Sequence, residues 1–198
     1  MAIPRLILSA LIAIAAAAQT TPEKLLEAIN VRAGGTVCEI GAGDGSMSIN
    51  VARIVGPNGR VYTNELGEDH VKKLRDKIAA AGLAQITVVG GETTRTNFPE
   101  GGCDGVFLRD VYHHFTDPAA MNASIAASLK PGGRLAVVDF KPPPDKEALR
   151  PEDRGKDGSH GVTPETVSRE LKTAGFEPVT SEQPAGRWFM VVVSRPTQ

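Results

Sequence analysis

Val37-Cys38-Glu39-Ile40-Gly41-Ala42-Gly43-Asp44-Gly45-Ser46 is the stretch whose reading decides the fold. The apolar run Thr36 to Ile40 reads as a short strand. Three alternating glycines follow, and then a helix carrying Val51, Ile54 and Val55 on one side. Glycine is needed where the backbone turns sharply and must approach a ligand with no Cβ in the way. The helix behind the turn points free N–H groups into the same space. A dinucleotide-binding loop would read G-x-G-x-x-G and seat a diphosphate at the helix start. Here the spacing is G-x-G-x-G, and Glu39 stands two positions before the first glycine. A carboxylate there suits a ligand with a cationic amino group.

Working outward, strand-like and helix-like segments alternate from residue 21 onward, the pattern of an α/β domain with a parallel sheet. Thr21-Pro22 is a helix N-cap with Pro at the first helical position, and Leu25, Leu26 and Ile29 give that helix an apolar face. Further strands are expected at Arg60 to Glu65, Ile86 to Val89, Asp104 to Leu108, Leu135 to Phe140, Glu177 to Ser181 and Trp188 to Ser194. Val71, Leu74 and Ile78 recur at helical spacing, with Lys72, Lys73, Arg75 and Lys77 as the solvated face. Asp117-Pro118 caps a helix that Lys130-Pro131-Gly132-Gly133 ends, because Pro cannot continue a helix and Gly permits the turn. Residues 141–162 are too long for a plain connector and read as a lid or binding loop.

The chain has 198 residues, 41% of them hydrophobic, with a formal net charge of -1, which suits one globular domain. No long basic run exists, so the phosphate-neutralising surface of a nucleic-acid binder is missing and a small-molecule substrate is expected. Residues 1–18 stand apart. Arg5, an apolar run from Leu6 to Ala18 and small residues before Gln19 read as a cleaved export signal, with an uncleaved anchor as the other reading. The run is shorter than the ~20 residues of a membrane span. Cleavage implies an exported or periplasmic protein; otherwise the chain is membrane-anchored or cytoplasmic, and any membrane contact is confined to the leader. The two cysteines are expected to stay unbridged: with a uniform rise of ~3.3 Å per residue, Cys38 and Cys103 would sit at opposite ends of neighbouring strands. Cys38 reads as a small core residue.

These motifs together resemble those of class I S-adenosylmethionine-dependent methyltransferases of the small-molecule type, over roughly residues 21–195. The resemblance implies a Rossmann-like seven-stranded sheet in the order 3-2-1-4-5-7-6, its last strand antiparallel, with helices on both faces. It implies S-adenosylmethionine as cofactor. Glu39 would hold the methionine amino group, while Gly41, Ala42 and Gly43 let the donor lie against the backbone. Glu65 would take the ribose hydroxyls, and Leu66 would lie on the adenine. Glu92, in Gly91-Glu92-Thr93, would take the adenine amino group, although the family more often has Asp there. The backbone near Arg109 would border the donor.

Leu108-Arg109-Asp110-Val111-Tyr112-His113-His114-Phe115 leaves the fourth strand at the carboxyl edge, where open α/β sheets bind ligands. Tyr112 and His113 are expected to approach the methyl group, His113 rather than His114 facing the site, since adjacent side chains rarely share a cavity. A histidine there could take a proton from an attacking atom. His160, in the long loop, is a second candidate base. Four scattered histidines do not spell a metal site, so no metal is expected. The D/N-P-P-Y/F segment of nucleic-acid amino methylation is absent, as is a Pro-Cys nucleophile. Alongside transfer to an O, N, S or C atom of a small molecule, two alternatives stand: a donor-binding module without turnover, and a membrane-tethered lipid or quinone methyltransferase.

Overall fold

A computed structural model describes residues 20–148, 150–156, 161–184 and 186–197. The leader and His160 lie outside the described residues. In chain order the elements are α1 (Pro22–Ala28), β1 (Thr36–Ile40), α2 (Ser46–Val55), β2 (Arg60–Glu65), α3 (Glu68–Ala81), β3 (Ile86–Gly90) and β4 (Cys103–Arg109). They continue with α4 (Pro118–Ser128), β5 (Leu129–Phe140), α5 (Pro164–Thr173), β6 (Glu177–Glu182) and β7 (Trp188–Ser194). The caps form as their residue types dictate: Thr21 accepts from Lys24 N at 3.3 Å, and Asp117 accepts from Ala120 N at 3.0 Å.

The strands form a seven-stranded sheet in the order β3-β2-β1-β4-β5-β7-β6. β7 runs antiparallel to both its neighbours, and the pairings among β1 to β5 are parallel. Side chains alternate between two core layers, as the two-residue period of a strand requires. Val37 and Phe107 pack with α1, α2 and α3, whereas Cys38, Val106 and Leu108 pack with α4 and α5. Because both faces are covered, the central strands read as continuous apolar runs. The stop after α4 takes a different form from a free turn. The helix ends at Ser128, and Lys130 to Gly133 lie within β5, where the register jumps from Cys103↔Leu129 to Gly105↔Arg134. Pro131 has no N–H for the ladder, and Gly132 sits at φ 75°, so regular pairing is interrupted there.

That irregularity also overturns the expectation for the cysteines. Cys38 and Cys103 are joined in a disulfide with a Cα–Cα separation of 5.9 Å. The regular β1–β4 ladder sets Cys38 opposite Val106. Uniform rise and strict alternation would leave Cys103 far along the strand and on the other face. The first residues of β4 depart from both assumptions: Cys103 lies in the α4–α5 layer with Cys38, ahead of the regular β1–β4 ladder that begins at Gly105 and beside the β5 irregularity. Both residues are fully buried, so the core reading of Cys38 holds together with the bond.

Candidate functional site

The glycine loop between β1 and α2 is built as a cradle. Gly41, Gly43 and Gly45 all have positive φ, at 67°, 55° and 75°. A Cβ on Gly41 would meet Val111 Cγ2 at 2.5 Å, and one on Gly45 would meet Leu74 Cδ1 at 2.6 Å. The outer glycines therefore let the loop press against the segment after β4 and against α3. A Cβ on Gly43 would meet nothing within 4 Å; its open side belongs to the cavity. Asp44 accepts from Ser46 N at 3.0 Å and Ser46 Oγ at 2.6 Å, and these bonds lower its pKa.

Glu39 lies beneath the loop, buried. Ser48 of α2 donates its hydroxyl to Glu39 Oε2, and Thr63 Oγ1 is 2.9 Å from the same serine oxygen. Burial pushes the Glu39 pKa up to about 7, against the opposing effects of the Ser48 hydrogen bond and the Arg109 charge. Such a carboxyl is costly to ionise alone and gains most from a cation delivered to it.

The neighbouring strand ends complete the wall. Glu65 accepts from Gly43 N at 2.7 Å and from Leu66 N at 2.9 Å, which ties the glycine loop to the end of β2 and leaves lone pairs for further donors. Asn64, which the sequence reading passed over, is buried. Its Oδ1 accepts from Gly41 N at 3.0 Å, and its Nδ2 donates to Thr96 O at 2.8 Å. A single amide thus fixes the loops after β1 and β3 to each other. The only sequence signal for it was a polar residue at a core position of a strand. Glu92 is exposed after β3, with its carboxylate accepting from Asn97 Nδ2 at 3.1 Å.

A cavity of about 690 Å³ brings together Glu39, Gly41, Ala42, Gly43, Glu65, Leu66, Glu92, Thr93 and Arg109. All nine residues expected to bind the cofactor line it, and the volume lies in the usual range of small-molecule sites. The expectation for Tyr112 and His113 is corrected: their side chains are buried and line no part of this cavity, whereas His114, Phe115 and Met121 do. The cause is the 3₁₀ turn over Tyr112–His114, which sends consecutive side chains in different directions. Tyr112 points into the α4–α5 core, where Asn122 Nδ2 donates to its hydroxyl at 2.9 Å and burial raises its pKa. His113 turns to β5, with Nδ1 2.9 Å from Asp139 Oδ1 and its backbone N–H 3.1 Å from Asp139 Oδ2. Its ring packs against that of His114, centroids 4.0 Å apart and planes tilted by 44°, so the fixed histidine supports the cavity-facing one.

Asp110, His113 and Asp139 bring ligand-type atoms within 4.8 Å of one another. Asp139 already accepts from His113 N, faces His113 Nδ1 and accepts from Phe140 N at 2.8 Å, so a cation there would displace these bonds. The long loop is anchored rather than loose over its described part. Arg154 is buried, donates to Phe115 O at 3.0 Å and pairs with Glu170 at 2.5 Å. Glu147 accepts from Thr163 N and Oγ1 at 2.9 Å each. The Arg154 contact holds the back of the same segment whose front presents His114 and Phe115 to the cavity.

Residues 37–133 match the methyltransferase domain family. A ubiquinone/menaquinone biosynthesis C-methyltransferase (UbiE) of Pseudomonas putida is 33% identical over 122 residues, covering 61% of this chain and 48% of that protein. The corresponding protein of Saccharophagus degradans is 31% identical over 119 residues, covering 60% and 48%. The chain thus spans about half the length of these relatives. Among solved structures, an S-adenosylmethionine-dependent methyltransferase from Aquifex aeolicus superposes with a TM-score of 0.73 at 24% identity, covering 88% of this chain and 89% of that one. The [4+2]-cyclase SpnF superposes with a TM-score of 0.76 at 16% identity, covering 89% and 81%, which speaks for the fold alone. With the match over 37–133, the strand order and the acidic glycine-loop cavity at the carboxyl edge, the chain belongs to the class I Rossmann-fold family of S-adenosylmethionine-dependent methyltransferases.

Proposed function

We propose that the protein transfers a methyl group from S-adenosylmethionine to a small-molecule acceptor. The observation that carries this is the convergence of Glu39, Glu65 and Glu92 around the open Gly43 in one cavity. The donor set fits the cofactor: a buried carboxyl for its ammonium, a second for its ribose hydroxyls, a third for its adenine amino group. Bound there, S-adenosylmethionine supplies an electrophilic methyl on a sulfonium. The chain's own part is positioning, with effective gains that come from holding two reactants in line. Arg154, His113 and Asp139 fix the wall, and His114, exposed in the same cavity, is placed to accept a proton from an acceptor atom that must lose one. His160 stays a candidate for that role on sequence alone.

Titrating the chain with S-adenosylhomocysteine by calorimetry tests the donor site. Glu65→Ala is expected to weaken binding about tenfold or more, since it removes ribose contacts and releases Gly43. His114→Gln is expected to bind the ligand as the parent does while losing transfer to whichever acceptor a screen identifies. Absence of binding to the parent chain would sink the proposal.

The resemblance to quinone-modifying relatives supports a planar, apolar acceptor as the first class to screen. Export into an oxidising compartment is supported by the leader sequence and, independently, by the Cys38–Cys103 disulfide. Intact-mass measurement on protein from its own host should find a chain starting at Gln19; a full-length chain free of disulfide would refute it. No helix among the described residues is long and apolar enough to cross a membrane.

A further inference from the structure

We propose that Arg187 and Trp188 select the acceptor: they take an aromatic molecule that carries an acidic group at the end remote from its reacting atom. The proposal rests on the methyl-transfer reading above and adds the acidic group to the planar class named there. A run of ring contacts carries it. His114 lines the cavity, and its ring packs against that of His113. The His113 ring centroid lies 4.9 Å from that of Phe140, and Phe140 meets Trp188 edge to face at 5.4 Å. Phe140 and Trp188 are opposite residues of β5 and β7, so the run leaves the donor side and follows the carboxyl edge of the sheet outward. At its far end Trp188, the chain's single tryptophan, is 37% exposed. A large ring left partly in water at that edge offers apolar area to a planar ligand.

Charge divides the same edge. Glu39, Glu65, Glu92 and Asp110 line the cavity at the ends of β1 to β4. At the ends of β5 and β6 the acids are already bonded: Asp139 to His113 and to Phe140 N, and Glu182 to Lys24 at 2.9 Å. Lys141 and Arg187 stand there too, and no ion pair among the described residues includes either. Arg187 is held near its stem. Its Nε donates to Lys141 O at 2.8 Å, and its Cζ lies 4.9 Å from the Phe140 ring centroid. Those contacts fix the guanidinium plane and use none of its Nη hydrogens. A planar fork held in this way loses little freedom on taking a carboxylate. An acceptor with an acid at one end is thus turned with that end to Arg187 and the other to His114 and the methyl donor. The reverse orientation would bring its acid to the cavity's own carboxyl groups.

The test uses the chain saturated with S-adenosylhomocysteine and two probes, para-hydroxyphenylpropanoate and its amide, which share a ring and differ in charge. Calorimetry on the parent chain should show the carboxylate binding about tenfold or more tighter than the amide. Its binding should change the fluorescence of Trp188, which no other tryptophan obscures. Arg187→Gln should bring the carboxylate down to the affinity of the amide, and Arg187→Lys should keep only part of the preference. Trp188→Leu should weaken both probes together. Thermal melts confirm that each variant is folded, and the comparison of probes on the parent chain stands if a variant is not. Equal affinity for the two probes, binding of neither, or binding that leaves the Trp188 fluorescence unchanged would overturn the proposal while the donor site stands. A parent chain that does not bind S-adenosylhomocysteine would overturn the methyl-transfer reading beneath it.

Discussion

Glu39→Gln is expected to weaken donor binding about 30-fold or more and, at the same time, to stabilise the ligand-free protein at pH 8. The binding loss follows from removing the buried charge that an ammonium would pair with; truncations of this kind cost roughly 2–5 kcal/mol, or about 30-fold upward. The stability gain follows from the raised pKa. Burial lifts the carboxyl from 4.5 to about 7 in the folded chain. Between those values the folded state holds a proton that the unfolded state has released, so stability falls as pH rises through this window and the full cost is present above it. At 1.36 kcal/mol per pKa unit the cost is about 3 kcal/mol. Glutamine cannot ionise, so its melting temperature should exceed the parent's by roughly 6–12 °C at pH 8. The advantage should vanish near the unfolded pKa of 4.5. Calorimetric titrations add a second readout. Ligand affinity of the parent chain should fall as pH drops below about 7, with proton release on binding, and the variant should show neither. A melting temperature that does not rise at pH 8, or proton release that survives the substitution, would refute this account.

Removing the disulfide should have an effect of similar size on stability alone. Cys38 and Cys103 close a loop with a sequence separation of 65 residues. On the chain-entropy estimate, a crosslink of that span stabilises by about 4 kcal/mol. Cys38→Ala with Cys103→Ala should therefore lower the melting temperature by roughly 8–16 °C. Reduction in partial denaturant, where the buried bond becomes accessible, should reproduce the loss. At temperatures well below the melt, S-adenosylhomocysteine affinity should be unchanged, because the bridged side chains face α4 and α5 while Glu39 and Arg109 face α1, α2 and α3. Equal melting temperatures for reduced and oxidised chains would argue that no crosslink forms.

The lining of the cavity was legible in the sequence because its parts are local. Glu39, the three glycines, Glu65 and Glu92 stand at the ends of successive strands, where each loop has its own turn chemistry and a parallel sheet delivers every carboxyl end to one edge. Arg109 was placed at that edge for the same reason, although only its backbone was expected to matter. Asn64 escaped notice because its two hydrogen bonds reach to loops 23 and 32 residues away, and no spacing rule connects them.

Periodicity and glycine placement determined, from the sequence by itself, the α/β class and the sheet edge where the cavity lies, while the strand order was what the family resemblance implied. Tertiary structure alone decided three things. It turned His114 to the cavity and His113 to Asp139, a choice made by one 3₁₀ turn and the carboxylate waiting on β5. It joined Cys38 to Cys103, because the entrance of β4 does not follow the regular rise and alternation that a sequence reading must assume. It left the buried Arg109 Nε without a hydrogen-bond partner beside the cavity that Glu39 also lines, since which groups meet across a sheet depends on register and burial, both set only when the strands are packed together.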